Sequence, residues 1–273
     1  MTRVRVSMYR PDKKYHVLSI IIFLGSWHTA LCQELKTLPF YDSIQAFDLS
    51  TLWRADSILN LEQVDDAILS DPVKLRFPEP LGFIGDNFQR FYIHFLSVAK
   101  STSDPYTYFV TGKTRVENNI SRFSGTISIR TANTYTDSTK PNYKQGYVVC
   151  HCLFYEDSTN KQINGRISGT LITDWLIINQ HIYYDNVDGV ADGYSNNQFT
   201  GRWKSYDRKW TKKWNWGDYR IPQSTELDMG AGEFSPGDKY LKYGWQTYRD
   251  ADFQNDTVIK NKAVRIENEQ WWR

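Results

Sequence analysis

Cysteine is nearly absent from this chain: three residues in 273, at positions 32, 150 and 152. A small secreted scaffold stapled by disulfides is therefore excluded. Nor does any stretch reach the ~20 consecutive apolar residues that a membrane-spanning helix needs. The motifs Gly-x-Ser-x-Gly and His-Glu-x-x-His are missing, which removes two common hydrolase signatures. The glycine-rich stretch Asp228 to Asp238 lacks the Lys-Ser/Thr of a phosphate loop and reads as a long surface loop.

The few residues with metal or redox chemistry are poorly spaced for it. Cys150 and Cys152 flank His151 in VVCHCLF. On a strand, residues i and i+2 share a face about 6.6 Å apart, too far for an unstrained disulfide. His151 would point the other way, so a Cys-His-Cys ligand set fails as well. The expectation is a pair of buried free thiols. His94, His151 and His181 fall on three separate predicted strands; three inward imidazoles could hold zinc, but sequence does not give their facing together, and scattered, unrelated histidines are the expectation. In DNVDGVADG, counting back from Gly189 puts Tyr184 where a calcium loop needs a carboxylate. That stretch reads as a hairpin loop, and no metal or cofactor is expected.

What is present begins with an export pattern. Arg3, Arg5, Arg10, Lys13 and Lys14 precede the apolar run Val17–Leu24, and ALCQ follows. Residues 1–32 read as a signal peptide cut before Gln33, giving a periplasmic or extracellular protein. The alternative is a lipid anchor on Cys32, although Leu31 is larger than that motif favours. Without residues 1–32 the chain keeps 28 basic and 30 acidic residues, a net charge of −2. A near-neutral chain is a poor general nucleic-acid binder, so no nucleic acid is expected as a partner.

Residues 33–86 read as an N-terminal segment. It holds one helix over Asn60–Pro72, with Asn60 as cap and Gln63 at the box position, then the entry loop Phe77–Asp86. From residue 87 to 250 the hydrophobic period becomes two. Strands are predicted at 88–99, 106–116, 122–131, 146–156, 165–175, 178–185, 197–206 and 209–216, with 239–248 as a further candidate. Residues 251–273 read as a C-terminal tail. The fold class is all-β: an antiparallel meander of about 8–9 strands that closes into a barrel, with the two-sheet β-sandwich as the competing arrangement. FSGTISI, ISGTLIT and the looser FTGRW share an in-strand glycine, expected either at a bend or where a large neighbour needs room.

Gly201-Arg202-Trp203 resembles the Gly-x-Trp signature of the lipocalin and calycin superfamily, although here it falls on a late strand. The resemblance implies a cup-shaped barrel for small apolar ligands, with the tryptophan at the closed end. The ALCQ junction and the runs GDNFQRFYIHF, NWGDYRIP and GAGEFSP are similar to those of exported Bacteroidetes proteins of unassigned activity.

Two stretches carry candidate chemistry. GRWKSYDRKWTKKWNWGDYR (201–220) holds four tryptophans and seven basic residues. Read as a hairpin, it puts Trp203 on one aromatic face and Trp210, Lys212, Trp214 and Trp216 on another. The expected ligand site is Trp203, Trp210, Trp214 and Trp216 with Lys212 and Lys213, stacking on sugar or apolar rings at a barrel mouth. The competing expectation is that these tryptophans are core. Asp174 shares parity with Ile172, Leu176 and Ile178, so it is either a buried acid, paired with Glu156 or Glu233 for glycoside hydrolysis, or turned outward. The expected function is a non-enzymatic envelope protein that binds a small apolar or carbohydrate ligand. The alternatives are a carbohydrate-active hydrolase and a purely structural surface protein.

Overall fold

The computed structural model describes residues 36–54, 58–61, 73–76, 78–137, 142–189 and 191–273. The predicted signal peptide and most of the predicted Asn60–Pro72 helix lie outside them. Asn60 and Leu61 themselves belong to a short strand, β2 (Ile58–Leu61), which pairs with β3 (Val73–Arg76).

The main sheet is antiparallel throughout. Its strands are β1 (Thr37–Pro39), β4 (Leu81–Ile84), β5 (Gln89–Lys100), β6 (Thr107–Val116), β7 (Asn119–Tyr135), β8 (Lys144–Glu156), β9 (Gly165–Ile178), β10 (His181–Tyr184), β11 (Asn196–Ser205) and β12 (Thr211–Asp218). Each of β4 to β9 pairs with the next, β9 pairs with β11, and β11 with β12. β12 then pairs with β4, Trp214 opposite Ile84, and closes a ring of eight strands. That closure rules out two separate sheets. The ring is not a regular barrel. β4 has only four residues, and β1 and β10 hang on β7 and on the far part of β9.

The period-two pattern sets the inside. Phe91, Ile93 and Phe95, then Cys150, Cys152 and Phe154, then Ile167, Leu171 and Trp175 alternate inward and are buried in one core. The two cysteines are free thiols there, and burial pushes both well above the usual thiol range. They act as small hydrophobes. The strand glycines do not mark the bulges, which fall at Phe95/Ser97, Ile129/Thr131 and Asn196/Phe199. They make room instead. Gly169 and Gly201 face each other across β9 and β11, and a Cβ on either would sit 2.6 Å from the Phe199 ring.

Two predicted elements are different. Leu81–Ile84, read within an entry loop, is the closing strand. It buries Phe83 on its outer side and Ile84 on its inner side, so it shows no polar alternation. Residues 239–248, read as a strand, form a 3₁₀ turn (Asp238–Tyr243) and the start of α2 (Gln246–Phe253). Their aromatics imitate a strand because Tyr240 and Trp245 pack with Phe83 in a second small core outside the ring. Residues 251–273 include α3 (Thr257–Glu267), which Asp256 caps through Val258 N and Ile259 N.

The two ends of the ring differ. At one end, residues 40–53 fold inward through α1 (Tyr41–Ile44) and a 3₁₀ turn at Ser50–Leu52. Phe40 meets Trp175 at 5.1 Å, and Trp53 meets Tyr108 edge-on at 5.1 Å. Trp53 Nε1 donates to Thr173 Oγ1 at 2.8 Å, and Asn197 Nδ2 donates to Leu52 O at 2.9 Å. This segment plugs that end. The other end, where β6 ends and β7 and β12 begin, carries no such plug among the described residues.

Candidate functional site

At the unplugged end lies a cleft of about 350 Å³. That lies within the ~300–1,000 Å³ of ordinary ligand sites. Its lining includes Trp203, Trp210, Lys212 and Trp214, together with Glu156, Thr114 and Gln162. The hairpin 201–220 builds it from both arms. β11 supplies Trp203, the turn Tyr206–Trp210 supplies Trp210, and β12 supplies Lys212 and Trp214.

Four of the six sequence-predicted residues therefore meet, and two do not. Trp216 lies deeper, stacked on Phe199 at 5.4 Å, and is core. It has the right parity but sits one strand pair too far from the mouth. Lys213 has the opposite parity and faces outward, 3.0 Å from Asp86. Among the four that converge, exposure separates the roles. Trp210 is 58% exposed, whereas Trp214 is 1% exposed and lies against Phe91 at 4.0 Å. Trp203 is nearly buried, and it lines the open end rather than the closed end that the Gly-x-Trp pattern implies.

Glu156 was considered from sequence only as a partner of Asp174, yet it lies at the base of this cleft. Its parity with Cys150, Cys152 and Phe154 was the available signal. It is 6% exposed. Its Oε1 accepts from Thr114 Oγ1 at 2.6 Å. Its Oε2 accepts from Gly165 N at 2.9 Å and Trp203 Nε1 at 2.8 Å. Burial pushes its carboxyl above the usual range, and these three donors oppose that rise.

Asp174 does not join it. Asp174 lies on the outer face of β9, between exposed Ile172 and buried Trp175, beside Asp185. Burial, then the Asp185 charge, raises its carboxyl to about 7. Its register partner on β8 is Tyr147, nine residues before Glu156. At ~3.3 Å per residue the two acids stand about 30 Å apart, on opposite faces. Two glycosidase carboxyls need ~5–9.5 Å. Glu233 is exposed, in the loop before Pro236. The three histidines also stay apart on outer faces. His94 stacks on Trp272 at 3.9 Å with Nδ1 3.1 Å from Glu79, and His181 is exposed.

Behind this cleft the ring interior is lined by large buried aromatics, among them Phe95, Phe154, Phe199 and Trp216. Inside the ring a gap of about 10 Å³ lies beside Trp53, Trp216 and Asp218. Comparison with protein-family models, curated proteins and solved structures returns no match.

Proposed function

We propose that this is an exported, non-enzymatic envelope protein that binds a carbohydrate ligand in the cleft at the open end of its strand ring. One observation carries this reading. An exposed tryptophan, Trp210, stands at the rim of a cleft that also holds Trp203, Trp214 and polar groups on three other strands. Sugar rings present apolar C–H faces and hydroxyl edges, and this mixture of indole and polar groups suits both. Trp210 leaves more than half of its surface to solvent at the cleft rim, where an indole face is available for stacking.

The hydrolase alternative loses one of its two candidate pairs, because Asp174 and Glu156 stand far apart. The structural alternative draws on the dense aromatic packing of the ring core, and it would leave the rim tryptophan unexplained.

A glycan array probed with the wild-type protein tests the reading. Retention on a subset of oligosaccharides is expected, with no change in their mass after incubation. Retention on none would leave the structural reading in place. Hydrolysis of any would return the enzyme.

A further inference from the structure

Glu156 is a buried acid with no ion-pair partner among the described residues. Two other well-buried charges on this fold have a counter-ion beside them, whereas Asp218, at the plugged end, is held like Glu156 by uncharged donors. Arg90 holds Glu267 at 2.6 Å, and Asp228 holds Arg220 at 2.7 Å. Glu156 is held by three hydrogen-bond donors alone, none of them charged.

The protein donors do not use both carboxylate oxygens equally. Oε2 already accepts two hydrogen bonds, which uses its lone pairs. Oε1 accepts one, from Thr114, and keeps a second acceptor position. Glu156 is among the residues that line the cleft. Three indoles line the same cleft, and an indole face attracts a cation. Against this stands one ammonium, Lys212, which is exposed, and exposed Glu117 offsets it.

We propose that the cleft selects a ligand carrying a protonated amine, and that Glu156 is the group that reads it. This rests on the carbohydrate reading above, and it narrows the ligand class to amino sugars. The amine donates to Glu156 Oε1, the sugar ring lies against Trp210, and the buried charge gains the partner it lacks. A buried carboxylate bonds a charged donor more strongly than a neutral one, so the free amine is preferred over its acetylated form.

The test uses two probes, a glucosamine trisaccharide and its fully N-acetylated counterpart, at a pH where the amine is protonated. Affinity is read by quenching of tryptophan fluorescence. The wild type should bind the free amine on the order of tenfold tighter, a ratio within the range of desolvated cation–π and charge-assisted contacts. Glu156→Gln should abolish that ratio and keep the acetylated probe's affinity. The glutamine is close to isosteric. Its oxygen can accept from Gly165 and Trp203, and its amide can donate to the Thr114 hydroxyl. Equal affinities in the wild type would overturn the proposal whether or not the variant folds, and they would leave the carbohydrate reading standing. A preference that survives in Glu156→Gln would overturn it too. No quenching by either probe, together with an empty glycan array, would remove the carbohydrate reading and this inference with it.

Discussion

Four positions separate Trp210 from Trp214, and the hairpin gives them opposite tasks. Trp214 is inside β12, where its indole packs on Phe91 and fills the core. Trp210 is the last residue of the turn, before pairing resumes at Lys204 and Thr211, so nothing forces it inward. Parity alone grouped them, because parity knows the face of a residue and not where its strand begins. Asp218 shows the same dependence on depth. It is fully buried at the plugged end, where Asn197 Nδ2 and the Tyr184 hydroxyl donate to its Oδ2 at 2.7 and 3.0 Å. Burial raises its carboxyl to about 8. The unfolded chain releases that proton near pH ~3.9, so the folded state holds the extra proton between the two values. Stability from this group is therefore complete below about pH 4 and is lost as pH rises toward 8. Asp218→Asn should remove this fall. In urea melts across that window, the variant should gain on the wild type by up to ~1.4 kcal/mol per pH unit. Parallel curves for the two proteins would mean that Asp218 titrates normally.

At the scale of elements, the strands were legible and their coverings were not. β5 to β9 are long strands with largely alternating burial, which fixes both type and facing, whereas β12 alternates only around Trp214 and Trp216. β4 was missed because it is short, follows Pro78 and Pro80, and is buried on both sides. The stretch 239–248 misled because its tyrosines and Trp245 serve an outer core. The C-terminal residues looked like a tail because their partners are distant in sequence. Arg90 on β5 forms two hydrogen bonds with Glu267 at the end of α3, at 2.9 and 2.6 Å, and lies 5.1 Å from the Trp245 ring. Beyond α3, Trp272 covers His94, and its carbonyl accepts from Lys113. This buried pair should anchor the whole C-terminal segment. Glu267→Ala leaves the Arg90 guanidinium buried without its partner and should cost ~3–5 kcal/mol in chemical denaturation. A loss under ~1 kcal/mol, typical of an exposed pair, would mean that α3 is not docked in solution.

On the scale of the whole molecule, the ring is closed by β4 and β12, plugged at one end and cleft at the other. The proposed cleft was half legible. Aromatic density marked the hairpin that lines it, but its floor comes from β6 and β8, and register between distant strands is not written in any one of them. The export pattern makes a separate prediction. If the chain is exported as proposed, mass spectrometry of the native protein should find Gln33 at the N-terminus, and a diacylglycerol on Cys32 would make it a lipoprotein. The division of the molecule into a packed interior and a binding rim meets its most direct test in Trp210→Ala and Trp214→Ala, each measured for thermal stability and for retention on the glycan array. Trp214→Ala should cost ~3–5 kcal/mol, as core tryptophans do. Trp210→Ala should stay within about ±0.5 kcal/mol of the wild type and lose the glycans. A Trp210→Ala protein that unfolds like Trp214→Ala, or that keeps every glycan the wild type binds, would contradict a binding site at this rim.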